Sequence, residues 1–405
     1  MIIKKPSILQ YQLYFLFFIG IFNILPAIEK NTSSFSFILV FLFTSLFFVK
    51  SVFYPVFHKD GKIKFKESVI YIIYIIICFL LLIKNFRSDY GYLRELVISP
   101  YTFLPYLLPL FIQKYRDDFL ATIVKIILIN NWVYIVITLY FFLADGSLKS
   151  VGFVEDSIKY FAMPNFFLML IFSKLGNRRK FMTLLVFILS FVISILAARR
   201  SLVWTHSWVL ILFVFLNYFN SDSNILKKIR FLFLTAFMGF GLFWSYDLYS
   251  EKVLGRLFDR IDADTRSAVE LDFKNDMDTE NWIFGKGIAG TYKLSETDFL
   301  YDENDQRLTE RNIIESGYQN IQLHGGYILL LIFIFIYGVA VYRGIFRSRN
   351  FYAKALAAFI ILHVLESYPA GIITFNTRFF IVWCCIFACW DPAFLSKKNS
   401  EIKLL

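Results

Sequence analysis

A chain of 405 residues that is 58% hydrophobic, with 50 Phe and a mean hydropathy of +0.60, carries more apolar surface than a globule can hide from water. That excludes a soluble enzyme or binding domain. A net charge of +11 would suggest nucleic acid in a soluble protein, but here the basic residues gather in short loops between apolar runs, the orientation signal of a polytopic membrane protein. No nucleic-acid partner is expected.

Taken in order, the apolar runs predict spans near 8–28, 34–57, 68–83, 96–113, 119–143, 160–173, 181–198, 201–219, 231–249, 322–342, 353–365 and 377–390. The expected fold is all-α: a transmembrane helical bundle of about 12 spans, because an uncovered backbone cannot cross lipid except as helix or closed barrel. The first run follows Lys4 and Lys5 as a signal peptide would, but no small-residue cleavage site follows it, so it reads as a retained span. The runs 68–83, 160–173 and 353–365 are short; they either borrow flanking polar residues or are re-entrant. Cys78, Cys384, Cys385 and Cys389 fall inside spans and read as packing residues.

With Lys4 and Lys5 inside, the loops 58–67, 114–118, 174–180, 220–230, 343–352 and the basic tail are cytoplasmic, as are both termini. The same parity puts 144–159, the pair Arg199-Arg200, the loop 250–321 and residues 367–377 outside. The chain thus divides into 1–249 with nine spans, 250–321 as one large extracytoplasmic loop, and 322–405 with three spans and the tail. That loop is acidic, with 16 Asp plus Glu against 9 Lys plus Arg. Within it, 252–273 has Val253, Leu254, Leu257, Phe258 and Ile261 at helical spacing, the pattern of a helix lying on the membrane surface.

Candidate chemistry gathers at the outer face. Arg199 and Arg200 are either interfacial anchors or ligands for an outer-leaflet anion, and Arg256, Arg260, Arg266 and Arg311 suit the same anion because a guanidinium offers paired donors and keeps its charge. For Arg256 and Arg260 the alternative is pairing with Asp259 and Asp264 on a solvated helix. Glu315 and His324 are candidate bases for a sugar hydroxyl. Glu315 follows Arg311 by four residues, so a helical turn would put both on one face; His324 sits beside Gly325 and Gly326, where close backbone approach is an equal explanation. His206 and His363 read as structural, and His58 lies on the inner face. Asp262-x-Asp264 and Asp276-x-Asp278 have a spacing used to hold divalent metals, but in so acidic a loop they read as solvated surface. No Walker loop, zinc spacing or nucleophile elbow is present, and neither metal nor cofactor is expected.

The order of these pieces resembles the O-antigen polymerase and O-antigen ligase family of bacterial envelope enzymes. The resemblance covers roughly 180–390. It rests on Ala-Ala-Arg199-Arg200-Ser201 at a span mouth, on Thr265-Arg266 followed by Phe284-Gly285-Lys286-Gly287, and on Glu315-Ser-Gly-Tyr318 before the next span. Where the ligases carry His-Asn-x-Tyr, alignment on Tyr318 puts Glu315 at the histidine position and His324 just before the closing glycine. The resemblance implies a GT-C-like bundle in the bacterial inner membrane and a metal-independent glycosyltransferase using an undecaprenyl-diphosphate-linked oligosaccharide. Arg199, Arg200, Arg266 and Arg311 would bind the diphosphate, Glu315 or His324 would act as base, and Gly285, Gly287 and Tyr318 would position the loop or substrate. The implied partners are membrane lipids and the flippase and chain-length regulator of the same pathway.

Three functions are open at this point. A polymerase joins lipid-linked repeat units, a ligase moves the glycan to lipid A core or protein, and a flippase forms no bond. A transporter is expected to bury charge within spans and to show an internal repeat; here the spans read as nearly charge-free apart from Lys125, which favours an enzyme. Glu315 in place of histidine favours the polymerase.

Overall fold

The computed structural model describes residues 8–24, 65–66, 68–84, 101–112, 119–144, 155–197, 199–219, 267–295, 309–369 and 371–402, with the single positions 86, 88, 90, 96 and 404. The expected spans 34–57 and 231–249 lie outside these residues, as do His58, Arg256, Arg260, Asp262, Asp264 and Arg266.

The described chain is mostly helical. In order it forms α1 (Ile8–Ile24), α2 (Val69–Ile83), α3 (Leu104–Phe111), α4 (Phe119–Ala144), a π-helical turn (Ile158–Ala162), α5 (Asn165–Leu170), α6 (Asn177–Leu196) and α7 (Arg200–Val214). After these come α8 (Ser267–Asp276), α9 (Thr279–Phe284), the two-residue strands β1 (Tyr292–Lys293) and β2 (Glu310–Arg311), α10 (Gly317–Phe346), α11 (Phe351–Glu366), α12 (Thr377–Trp390) and α13 (Pro392–Ser396). Among the described residues, four helices are long and apolar enough to cross a membrane, within Phe119–Tyr140, Asn177–Leu196, Arg200–Asn217 and Gly317–Phe346; three more are apolar but shorter. The chain is a mostly helical, membrane-associated protein.

Helix α2 shows why water is the wrong solvent for it. Ser68 caps it by accepting from the Tyr71 N–H, and Tyr71, Tyr74, Cys78 and Leu81 face inward at helical spacing. The opposite side exposes Val69, Ile72, Ile73, Ile76, Phe79, Leu80 and Ile83. Leaving seven such chains in water would forgo on the order of 10 to 20 kcal/mol, as much as the whole stability of an ordinary domain. A hydrocarbon surround removes that cost.

The chain divides into two compact units, Met1–Ile126 with Thr265–Leu405, and Ile127–Asp264, the boundary falling within α4. In the first, α10, α11 and α12 pack on one another and on α2 and α3. Trp383 of α12 is wholly buried among Tyr74, Phe333, Tyr337 and Phe379, with ring centroids 5.6 to 6.5 Å away. Small residues let the helices close up: a Cβ at Gly344 of α10 would meet Ala357 Cβ at 2.7 Å and Cys389 Sγ at 2.9 Å. All four cysteines are buried, in keeping with a packing role. Among the described residues of the expected span 96–113 lies the eight-residue α3, which carries Pro105 at its start and Pro109 inside. The short run 353–365 forms the 16-residue α11, buried over most of its surface.

In the second unit the short run 160–173 is not one helix. It breaks into the π-helical turn, α5 and a 3₁₀ turn at Phe172–Lys174, and every residue from Phe166 to Ile171 is wholly buried or within 1% of it. Asn165 anchors the break, accepting from Asn131 Nδ2 at 2.8 Å and donating to the Thr183 carbonyl at 2.8 Å. His206 has the structural role expected of it, bonding Ser190 Oγ at 2.9 Å and the Leu202 carbonyl at 2.7 Å.

Candidate functional site

Residues 267–295 and 309–316 fold as a cap beside the start of α10, over a small apolar core of Phe273, Met277, Tyr292, Ile314 and Leu323. Asp278 caps α9 by accepting from the Asn281 N–H at 2.7 Å, and α9 ends at Gly285, whose φ of +70° only glycine adopts readily. Gly287 follows at φ +91°. This turn docks on a kink in α10, where Gly326 has φ +61°.

The docking is backbone to backbone. A regular helix would give the carbonyls of Leu323 and His324 to residues four positions on; at the kink they accept from Lys286 N–H at 2.7 Å and Gly287 N–H at 2.9 Å. Ile288 N–H donates to the Leu81 carbonyl at 3.2 Å and Lys84 Nζ to the Gly285 carbonyl at 2.6 Å, tying in the end of α2. A Cβ at Gly285 would meet Gly325 N at 2.4 Å, and one at Gly326 would meet the Ile283 carbonyl at 2.3 Å. Gly285, Gly287 and Gly326 are thus accounted for by close backbone approach, and Gly325 by the Leu329 and Leu81 side chains packed against it.

His324 belongs to this interlock. Its side chain is fully buried, and Nδ1 shares a hydrogen bond with the Tyr106 hydroxyl at 2.7 Å. The Asn312 backbone is a second hydrogen-bonding neighbour of the ring. Tyr318 is half-buried, donating its hydroxyl proton to the Val364 carbonyl at 2.6 Å.

Arg311 and Glu315 do not share a helical turn, which corrects that expectation. Arg311 pairs with Tyr292 across the β1–β2 ladder, residues 312–316 are non-helical, and α10 begins only at Gly317, whose N–H donates to the Ser367 carbonyl at 2.8 Å. Strand pairing and the burial of Ile314, whose N–H reaches Asn320 Oδ1 at 3.2 Å, hold this stretch out of a helix. Arg311 is nevertheless bonded to Tyr292, and the Glu315 charge acts on the same hydroxyl. Burial pushes the Tyr292 hydroxyl up to about 12, while Arg311 pulls it down through charge and a hydrogen bond and the Asp272 and Glu315 carboxylates push it up. Glu315 itself is exposed.

Asp276 and Asp278 are engaged within the cap. Asp276 pairs with Lys286 and accepts from Lys293 N–H at 3.1 Å, and Asp278 is the α9 cap. Among the described residues no group of three or more His, Cys, Asp or Glu is placed to hold a metal ion.

In the second unit Arg199 and Arg200 stand at the mouth of α7. Arg199 bonds Glu155 at 2.9 Å, and the same carboxylate pairs with Lys159 at 2.6 Å. Burial raises the neighbouring Asp156 carboxyl, with Lys159 and Arg199 opposing. Arg199 is therefore held by an acid within its own unit.

The charge overlooked in the sequence is Arg378, inside the expected span 377–390. It forms a doubly bonded, buried pair with Glu366, one contact being 2.6 Å. Glu366 ends α11 and Arg378 is second in α12, so each charge sits at the helix end whose dipole opposes it. That placement was readable: an acid closing one apolar run and an arginine opening the next.

Comparison with known protein families, curated proteins and solved structures returns no match for this chain.

Proposed function

We propose that this chain is a metal-independent glycosyltransferase of the inner membrane that polymerises undecaprenyl-diphosphate-linked repeat units at the outer leaflet. In this reading the bundle has about 12 spans in a GT-C-like arrangement, both termini are cytoplasmic, and the cap belongs to the large outer loop 250–321. The observation that carries it is a cap that bears Arg311 and an exposed Glu315 and is fixed by the Lys286 and Gly287 backbone bonds to the mouth of a candidate span. The exposed Glu315 carboxylate is the group assigned to accept a proton from a sugar hydroxyl. The acceptor oxygen then bonds to the anomeric carbon, the bond from that carbon to phosphate breaks, and the electron pair leaves with the diphosphate. Arginines stabilise the charge gathering on the leaving group; Arg311, Arg199, Arg200 and Arg266 are the residues assigned to it. A flippase and a chain-length regulator are the expected partners.

His324 is the weaker choice of base, because it is buried and bonded to Tyr106. A ligase with the same chemistry would differ only in its acceptor. The transporter reading gains one observation, since Arg378 and Glu366 bury charge in helices expected to span.

The test is a reconstituted assay with lipid-linked repeat units. Arg200→Lys and Arg266→Lys keep the charge but lose the paired donors, and both are expected to cut polymer formation heavily while the protein still accumulates. Full activity in both variants would reduce these arginines to anchors. Movement of the lipid-linked oligosaccharide across vesicles without bond formation would replace the enzyme by a transporter.

A further inference from the structure

Helix α9 changes character within one turn, about 5 Å of rise. Asp278, Thr279 and Glu280 are exposed and polar; Ile283 and Phe284 are exposed and apolar, at 41% and 50%. Nothing in a water-facing helix explains two large apolar side chains at its outer surface next to Trp282. Their neighbours supply the reason.

Trp282 stacks on Tyr327 of α10, with ring centroids 5.6 Å apart and planes at 19°. Tyr327 is exposed, and below it Leu331, Ile334 and Phe335 continue an exposed apolar stripe down the same helix. From the kink at Gly326 onward α10 runs to Phe346, about 20 residues or 30 Å, one hydrocarbon thickness. The stripe is thus the lipid-facing side of a candidate span, and Ile283 and Phe284 extend it beyond the kink. On the other flank the end of α2 exposes Ile83 and Phe86, next to Lys84, whose ammonium holds the Gly285 carbonyl. Five exposed apolar side chains from three elements therefore ring the point where the cap meets the helix ends.

We propose that this collar, Ile83, Phe86, Ile283, Phe284 and Tyr327, is a bilayer anchor that seats the cap at the headgroup boundary. Aromatic residues beside a lysine suit that layer, their rings meeting acyl chains and the ammonium meeting phosphates. The anchor also sets the height of the polar cluster. Trp282 packs on Phe273 at 5.5 Å, Phe273 on Tyr292 at 5.9 Å, and Tyr292 is paired with Arg311. Arg311 and Glu315 are thereby held just above the lipid phosphates. The inference needs only that α10 spans, and it stands or falls apart from any catalytic role.

The experiment places nitroxide labels on single cysteines at positions 280, 283, 284 and 335 of the full chain, in vesicles of phosphatidylethanolamine and phosphatidylglycerol. Collisions with lipid-soluble oxygen and with a water-soluble nickel complex are then compared. The four native cysteines are buried, so parent protein treated in parallel gives the background. The oxygen-to-nickel ratio is expected to be low at 280, to rise at 283 and 284, and to rise again at 335. Nickel access at 283 and 284 equal to that at 280 would put α9 in water and overturn the anchor. Loss of access to both reagents would show that protein covers these side chains, and would overturn it equally. If Ile283→Cys or Phe284→Cys fails to accumulate, a photoreactive amino acid at 284 gives the same answer: crosslinks to phospholipid support the anchor, and crosslinks confined to protein refute it.

Discussion

The N–H of Gly287 donates to the carbonyl of His324 at 2.9 Å, so backbone as well as side chains fixes the cap to the kink of α10. Backbone contact at that range leaves no room for a Cβ, and two of the residues involved, Gly285 and Gly287, have left-handed φ.

Gly287→Ala and Gly326→Ala are therefore expected to cost about 1 to 3 kcal/mol each from backbone conformation alone, with steric displacement adding to it. Gly338→Ala is the internal control. A Cβ there meets nothing within 4 Å, so alanine is expected to be neutral or to gain up to about 1 kcal/mol in helix propensity. Thermal unfolding of the three purified variants in detergent checks the ranking. Equal melting temperatures for Gly326→Ala and Gly338→Ala would mean that the interlock does not hold the cap.

The Glu366–Arg378 pair supports the start of α10, because the Ser367 carbonyl beside it receives the Gly317 N–H. Removing either charge, as in Glu366→Gln or Arg378→Gln, leaves its partner buried and unpaired, at a cost of about 3 to 5 kcal/mol. Exchanging them in Glu366→Arg/Arg378→Glu restores the pair and puts each charge at the favourable end of its helix. The exchange variant is expected to recover most of the stability lost in the single variants. Hydrogen exchange of the 309–321 peptide provides the readout; single variants no faster than wild type there would show that the pair does not steady this stretch.

Orientation has its own check. Cysteines at Ser295 in the cap and at Asn177 at the start of α6 are expected to lie on opposite sides of the membrane, only the first reacting with an impermeant thiol reagent in spheroplasts. Labelling at Asn177 alone would invert the topology and move the whole cluster inside.

The apolar class, the close backbone approach at Gly326 and the packing roles of His206 and the cysteines were legible in the sequence, because each follows from a local rule of burial or backbone freedom. The non-helical course of 310–316 was not. Arg311 is held by a strand partner, Tyr292, distant in the chain, and no local period records that pairing. The break of the 160–173 run was signalled only by its length, because the polar contact that stabilises it comes from Asn131 on another helix. The same holds for His324, whose identity suggested chemistry and whose contact with Tyr106 could be found only in the fold.

The most direct test of the central claim compares Glu315→Gln with His324→Ala in the reconstituted assay, reading product length on a gel alongside donor binding. With Glu315 as the base, Glu315→Gln binds donor and extends no glycan, while His324→Ala, weakened in packing only, keeps a measurable fraction of activity. A Glu315→Gln protein that still polymerises, together with a His324→Ala protein that binds donor and makes no product, would contradict the account.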